Sequence, residues 1–191
     1  MDRIRVIPKS EGCTYEDIQY LLHIAHQSNK ENGLIYASAD QSVDKLIEKI
    51  GSGICLTAIT ENGLLVGTVT LSDKYIDYWY YRGNVLLLKL VGVHPDYRGK
   101  NIGSLLIEEC IKIAKEKECK ILVSDSAEKN FVMQHIFLKY GFKIVDCVKY
   151  KANNFVSAVY AKWIVDDCPI WVDEQLSERY ANHRNKIEEK D

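Results

Sequence analysis

The stretch His94-Pro95-Asp96-Tyr97-Arg98-Gly99-Lys100-Asn101-Ile102-Gly103 follows a nearly unbroken apolar run, Val85 to Val93, and leads into Ser104-Leu105-Leu106. A turn that opens a helix presents backbone N–H groups with no intrahelical acceptor, and the helix dipole adds positive potential there. Arg98 and Lys100 place whole charges beside it, and Gly99 and Gly103 carry no Cβ to hold a ligand away. Such a turn suits a phosphate or pyrophosphate. The competing reading is an ordinary glycine turn before a helix. The G-x-x-x-x-G-K-[ST] loop and the G-x-G-x-x-G dinucleotide fingerprint are both absent.

The flanking elements must position that turn. Arg3 to Ile7 alternates as a strand does, closed by Pro8. Thr14 with Asp17 three residues on reads as a capped helix start; Ile18, Leu21, Leu22 and Ala25 follow at helical spacing, and the polar Gln27 to Gly33 ends the helix. Val43 to Ile50 reads as a short helix stopped by Gly51. Ile54–Thr60 and Leu64–Leu71 are strand-like runs joined through Asn62-Gly63, a hairpin signal. Val85–Val93 reads as a strand covered on both faces. The helix after the turn should turn Leu105, Leu106, Cys110, Ile113 and Ala114 inward. A strand over 120–124, a helix over 131–140 closed by Gly141, and two strands over 142–148 and 156–164 complete the order β-α-α-β-β-β-α-β-α-β-β. That order predicts an α/β (α+β) fold, a central mixed sheet with helices on both faces.

At 191 residues with a net charge of −2, the chain has no basic excess to draw it to nucleic acid or to an anionic membrane. No apolar run is long enough for a membrane span. The six cysteines form no C-x-x-C pair and have no histidine cluster beside them, so no metal is expected. The first eight residues carry Asp2, Arg3 and Arg5 and no leader-like stretch, so the cysteines read as reduced thiols in a cytoplasmic protein. Residues 1–165 read as one domain. Residues 166–191 read as an extension, with Trp171, Leu176 and Tyr180 anchoring a short helix before a frayed end.

The segment Val91 to Leu106 resembles the acyl-CoA signature of the GNAT superfamily of N-acetyltransferases, whose heart is [Q/R]-x-x-G-x-[G/A] after a strand ending in V-x-P-x-x-R. Asn130 and Gly141-Phe142 fall at the spacing of that family's second segment, N-x-x-A-x-x-F-Y-x-x-x-G-F. The likeness covers roughly residues 3–164, and the element order agrees with it. Three positions depart from the pattern. Asn101 stands where the first motif glycine belongs, and Asn is the next residue most tolerant of a left-handed backbone. Phe137 replaces the tyrosine that in many relatives protonates the leaving thiolate. Lys89 stands where a glutamate is common.

The resemblance implies an acetyl-CoA-dependent acetyltransferase acting on a primary amine, whether a small molecule, a protein N-terminus or a lysine. The pantetheine arm would pair with the backbone of Val91, Gly92 and Val93. The pyrophosphate would rest on Arg98, Gly99, Lys100, Asn101, Ile102, Gly103 and Ser104, and Asn130 and Phe137 would border the cofactor. An amide near Val91 to Val93 would stabilise the oxyanion. Asp125 is the candidate base, against a reading as a turn or cap residue, with Asp73 and Glu128 as weaker options. Tyr140 is the candidate acid, against a packing role and against protonation by water. On the acceptor side the candidates are Tyr36, in a segment that could equally be a plain linker, and Tyr78 and Trp79, in an aromatic cluster that could equally serve a homodimer contact. Two rival readings stay open: a non-catalytic acyl-CoA-binding module, and an acyltransferase using a longer acyl group.

Overall fold

The computed structural model describes residues 3–9, 13–78, 80–165 and 189–190. Its elements are β1 (Ile4–Pro8), α1 (Tyr15–Glu31), α2 (Val43–Ile50), β2 (Ile54–Thr60), β3 (Leu65–Tyr78), β4 (Tyr81–Val93), α3 (Ile102–Glu116), β5 (Ile121–Ala127), α4 (Phe131–Lys139), β6 (Lys143–Tyr150), β7 (Val156–Trp163) and the two-residue β8 (Glu189–Lys190). Through β7 this is the expected order. The chain divides into two compact units, Met1–Ser72 with Leu88–Lys112, and Asp73–Leu87 with Ile113–Asp191.

In the first unit the strand order is β1-β2-β3-β4, with β1–β2 and β2–β3 antiparallel. Thr14 starts α1 with a full capping box: its Oγ1 accepts from the Asp17 N–H at 3.1 Å, and Asp17 Oδ2 accepts from the Thr14 N–H at 2.8 Å. Such a cap stabilises a helix by about 1 kcal/mol. α1 continues to Glu31, beyond the expected break, because Gln27, Lys30 and Glu31 are sound helix formers; the chain leaves only at Gly33, φ +79°. Ile18 and Leu22 of α1 and Leu46 and Ile50 of α2 pack with Cys55 of β2 and Leu90 of β4. Burying each such leucine or isoleucine contributes about 1.5–3 kcal/mol. α3 covers the opposite face of β2, the face of Ala58. There Gly67 of β3 lies so close that a Cβ on it would fall 2.8 Å from Ile102 Cγ2.

The buried stripe of α3 is Ile102, Leu106, Ile107, Cys110 and Ala114. Leu105 and Ile113, expected inside, are only half-buried. The helix is rotated so that Ile102 and Leu106 meet Gly67, which moves the apolar stripe about one residue from where leucine counting puts it.

In the second unit the order is β5-β7-β6-β8, antiparallel except for the parallel β6–β8 pair, so the sheet is mixed as expected. β5 runs on to Ala127, pairing with β7 from Ile121↔Trp163 to Ala127↔Ser157. The continuing ladder overrides the weak strand preference of Ser124, Asp125 and Ser126. α4 packs on one face through Phe137, whose ring lies 5.1 Å from Phe142 and 4.8 Å from Tyr160. The other face carries Val123, Val145, Val148 and Val159 beneath Ile76, Tyr80 and Val85 of the β3–β4 hairpin.

Five cysteines, Cys13, Cys55, Cys110, Cys119 and Cys147, are free thiols. No described helix is long and apolar enough to cross a membrane. The expected helix around Trp171, Leu176 and Tyr180 lies outside the described residues.

Candidate functional site

The turn of the first unit is built largely from main-chain bonds. The His94 N–H donates to Val66 O at 2.9 Å, and the Tyr97 and Arg98 N–H groups donate to His94 O and Pro95 O, forming a 3-10 turn over Pro95–Tyr97. His94 Nδ1 accepts from the Asp96 N–H at 3.2 Å, which makes this histidine a brace of the turn. Gly99 and Asn101 both adopt the left-handed conformation, φ +74° and +62°. Asn101 thus holds the backbone that the motif glycine would hold. Its carbonyl accepts the Leu105 N–H at 3.0 Å, the first backbone bond of α3, so the amides of residues 102–104 precede any intrahelical acceptor. Nothing lies within 4 Å of where a Gly99 Cβ would stand. This open, amide-lined bend fits a diphosphate group.

The two cations of the turn are not aimed as charge counting suggests. Arg98 Nη1 donates to Ser28 Oγ at 2.7 Å and Nη2 to Ala25 O at 2.6 Å, which ties the turn to α1. Lys100 Nζ lies 4.3 Å from the Tyr97 ring centroid. Both therefore raise the local potential while the backbone amides line the bend. Beside Arg98, His26 is stacked on Tyr36 at 4.6 Å, and burial, then the Arg98 charge, pull its pKa down to about 4. The segment holding Tyr36 is fastened to α1: Ala39 O accepts from Gln19 Nε2, and Asp40 pairs with His23 and Lys30 at 3.1 Å each.

Leu90 is a residue the sequence did not single out. It sits in β4 at φ +55°, a conformation that costs a leucine roughly 1–2 kcal/mol. It lies within the continuous strand β4, one residue before Val91. Gly92 then lets α1 approach, since a Cβ there would meet Leu22 Cδ2 at 3.1 Å. The glycine was visible in the sequence; a left-handed leucine has no local signal.

In the second unit Asp125 is a strand residue, neither turn nor cap. It pairs with Val159 and projects from the same face as Val123. Burial raises its pKa, partly offset by the nearby Ser157 hydroxyl and by Lys74. Tyr78 is 39% exposed and stacks on the buried Tyr80 at 5.6 Å. Tyr150, at the end of β6, packs on the same cluster. Burial, then the nearby carboxylates, push the phenols of Tyr80 and Tyr150 upward, so both stay neutral.

Phe137 is fully buried and faces Tyr160, whose partner across the ladder is Ser124. α4 therefore lies on the face opposite Asp125. Tyr140 is the C-cap of that helix, with Lys139 Nζ 5.3 Å from its ring. Asp125 and Tyr140 thus come from opposite sides of the ladder. Asn130 caps α4, its Oδ1 accepting from the Met133 N–H at 3.3 Å. Trp79 lies outside the described residues. A cavity of about 430 Å³, lined by Asp73, Asn84, Lys117 and Lys120 among others, opens at the turn before β5; Asp73, a weaker option for the base, lines it, and Asp125 and Tyr140 do not. Among the described residues no group of three metal-ligating side chains forms.

Residues 18–142 match the model of the acetyltransferase (GNAT) family. A GNAT-family acetyltransferase from Streptococcus agalactiae superposes with a TM-score of 0.68 at 18% identity, over 84% of this chain and 95% of that one. A GNAT-family acetyltransferase from Elizabethkingia anophelis with acetyl-CoA bound gives 0.61 at 20% identity, over 85% and 99%. NAA60 from Arabidopsis thaliana, in complex with a bisubstrate analogue, gives 0.64 at 16% identity, over 85% and 100%. At these identities the likenesses show the fold. No curated protein matches the sequence.

Proposed function

Since the chain belongs to the GNAT acetyltransferase family, we propose that it moves an acetyl group from acetyl-CoA to a primary amine by direct attack. The observation that carries this reading is the bend at residues 98–104, where left-handed Gly99 and Asn101 lead into the uncapped amides of α3. It supports a pyrophosphate site here, and the Elizabethkingia anophelis protein of the same fold has acetyl-CoA bound. The left-handed backbone of Leu90 within β4 supports pantetheine pairing with Val91 and Val93 and an oxyanion contact from an amide there.

A lysine-like amine, pKa about 10.4, needs about 4.6 kcal/mol to lose its proton at pH 7. Asp125 takes that proton. Burial raises its pKa, which makes its ionised form a stronger base than an exposed carboxylate. The leaving thiolate is protonated by Tyr140 or by water, because Phe137, sealed in the core, offers no hydroxyl. The free thiols agree with a reducing, cytoplasmic setting.

That missing hydroxyl also favours a second reading, an acyl-CoA-binding module without turnover. Calorimetry with acetyl-CoA, followed by measurement of CoA thiol release over a panel of primary amines, separates the two. Binding with amine-dependent release is expected. Binding without release selects the module, and a longer acyl-CoA outcompeting acetyl-CoA selects the longer-chain enzyme. No binding removes the site assignment.

A further inference from the structure

The cavity at the turn before β5 lies wholly within the second unit, and neither Asp125 nor Tyr140 lines it. Its volume, about 430 Å³, falls in the range of small-molecule sites. Val85 and Leu86, both almost fully buried, give it an apolar part. Asp73, Lys117, Glu118 and Lys120 also line it and are exposed. None of these four side chains enters an ion pair or a hydrogen bond among the described residues. Two ammonium groups and two carboxylates therefore border one cavity with their charges uncommitted. The turn that carries three of them is held by its backbone. The Lys117 N–H donates to Ile113 O, the Glu118 N–H to Lys115 O and the Cys119 N–H to Ala114 O, at 2.9, 3.0 and 2.9 Å, and Glu118 is left-handed at φ +53°. The carbonyl end of α3, at Glu116, precedes this turn and adds negative potential.

We propose that this cavity is a second small-molecule site, one that takes a free aliphatic α-amino acid. Such a ligand carries both signs of charge on one carbon and an apolar side chain, the complement of this lining. Its carboxylate meets Lys117 and Lys120, and its ammonium meets Glu118 and Asp73. Its side chain displaces water from Val85 and Leu86. A ligand with a single charge leaves the opposite pair unmatched, and one without a side chain leaves the apolar part wet, so selectivity requires all three groups together. The site is separate from acetyl transfer and does not rest on that reading.

The test titrates the full chain calorimetrically, without acetyl-CoA so that no amine is consumed. The probes are L-leucine and three relatives that each lack one group: 4-methylpentanoate lacks the ammonium, 3-methylbutylamine the carboxylate, and glycine the side chain. L-leucine should bind about tenfold more tightly than each of the three. The double variant Lys117→Met with Lys120→Met should weaken L-leucine about tenfold and leave 3-methylbutylamine unchanged. Glu118→Gln should weaken L-leucine and leave 4-methylpentanoate unchanged. Asn84→Trp, at an exposed lining position, should fill the cavity and abolish L-leucine binding with the melting temperature held. No heat with L-leucine, equal affinity across the four probes, or L-leucine affinity intact in the folded double variant or in folded Asn84→Trp would each overturn the proposal.

Discussion

The bend at residues 94–104 and the face around Asp125 solve different recognition problems with different material. The bend presents main-chain N–H groups, and its side chains are turned to structural work: Arg98 grips α1, Lys100 covers Tyr97, and His94 braces Asp96. The Asp125 face presents side chains, a carboxylate and phenols brought together from β3, β5 and β6. A backbone site needs residues that permit a conformation, whereas a side-chain site needs residues that share a face. The first tolerates Asn101 in place of glycine because both reach the left-handed region. The second has no such latitude, since shifting β5 by one residue would send Asp125 to the α4 side.

The sharpest way to break the contrast is to put a side-chain charge into the backbone site. Gly103→Glu should weaken acetyl-CoA roughly a thousandfold in calorimetry, because like charges brought together cost several kcal/mol. Its melting temperature should hold, because an acidic residue in the first turn favours the helix. Retained affinity would show that the diphosphate lies elsewhere.

Asp125→Asn probes the other region. At pH 7 kcat should drop on the order of a hundredfold, with the loss shrinking as the pH rises through the amine pKa of about 10.4, where the amine loses its proton unaided. Stability should move the opposite way. The pKa of Asp125 is raised by burial, so the folded chain holds this proton more tightly than the unfolded one, and the ionised group is a cost above the unfolded value. The variant should therefore melt higher at pH 7 while losing activity. A flat pH–rate difference would remove Asp125 from the mechanism.

Arg98→Met sharpens the claim that the side chains of the bend are structural. Losing the bonds to Ser28 and Ala25 should raise the Kd for acetyl-CoA about tenfold with kcat nearly unchanged, about 1.4 kcal/mol of lost support. Lys100→Met, removing an exposed charge and its contact with the Tyr97 ring, should cost about two- to threefold.

The smallest effect belongs to His26. Its pKa falls from 6.5 to about 4 on folding, so the unfolded chain binds the proton more readily. Stability present above about pH 6.5 should drain as the pH falls toward 4. His26→Gln should flatten that decline in melting curves taken across the interval, and an unchanged slope would assign the acid sensitivity to other groups.

Much of the bend was legible from residue types. Proline and glycine punctuate it, Asn101 is the one non-glycine suited to its left-handed step, and the leucine run marks the helix it opens. The Thr14 cap and the Asn62-Gly63 hairpin were legible for the same reason, since each is settled within a few residues. The orientation of Arg98 was not, because its partners lie 70 and 73 positions earlier. Nor was Leu90, a poor candidate for φ +55° on any local scale. β5 looked too short because Ser124 to Ser126 are weak strand formers until β7 pairs with them.

Read alone, the chain specifies its order of elements, its caps and turns, and the glycine-marked bend, because these depend on dihedral preferences and hydrogen bonds between near neighbours. It leaves open which side chains meet. Asp125 and Asp146 flank Val159, and Phe137 is sealed against Tyr160, only after strands distant in sequence have chosen a register. Pairing register is a cooperative outcome of packing on both faces, and no short window of residues contains it.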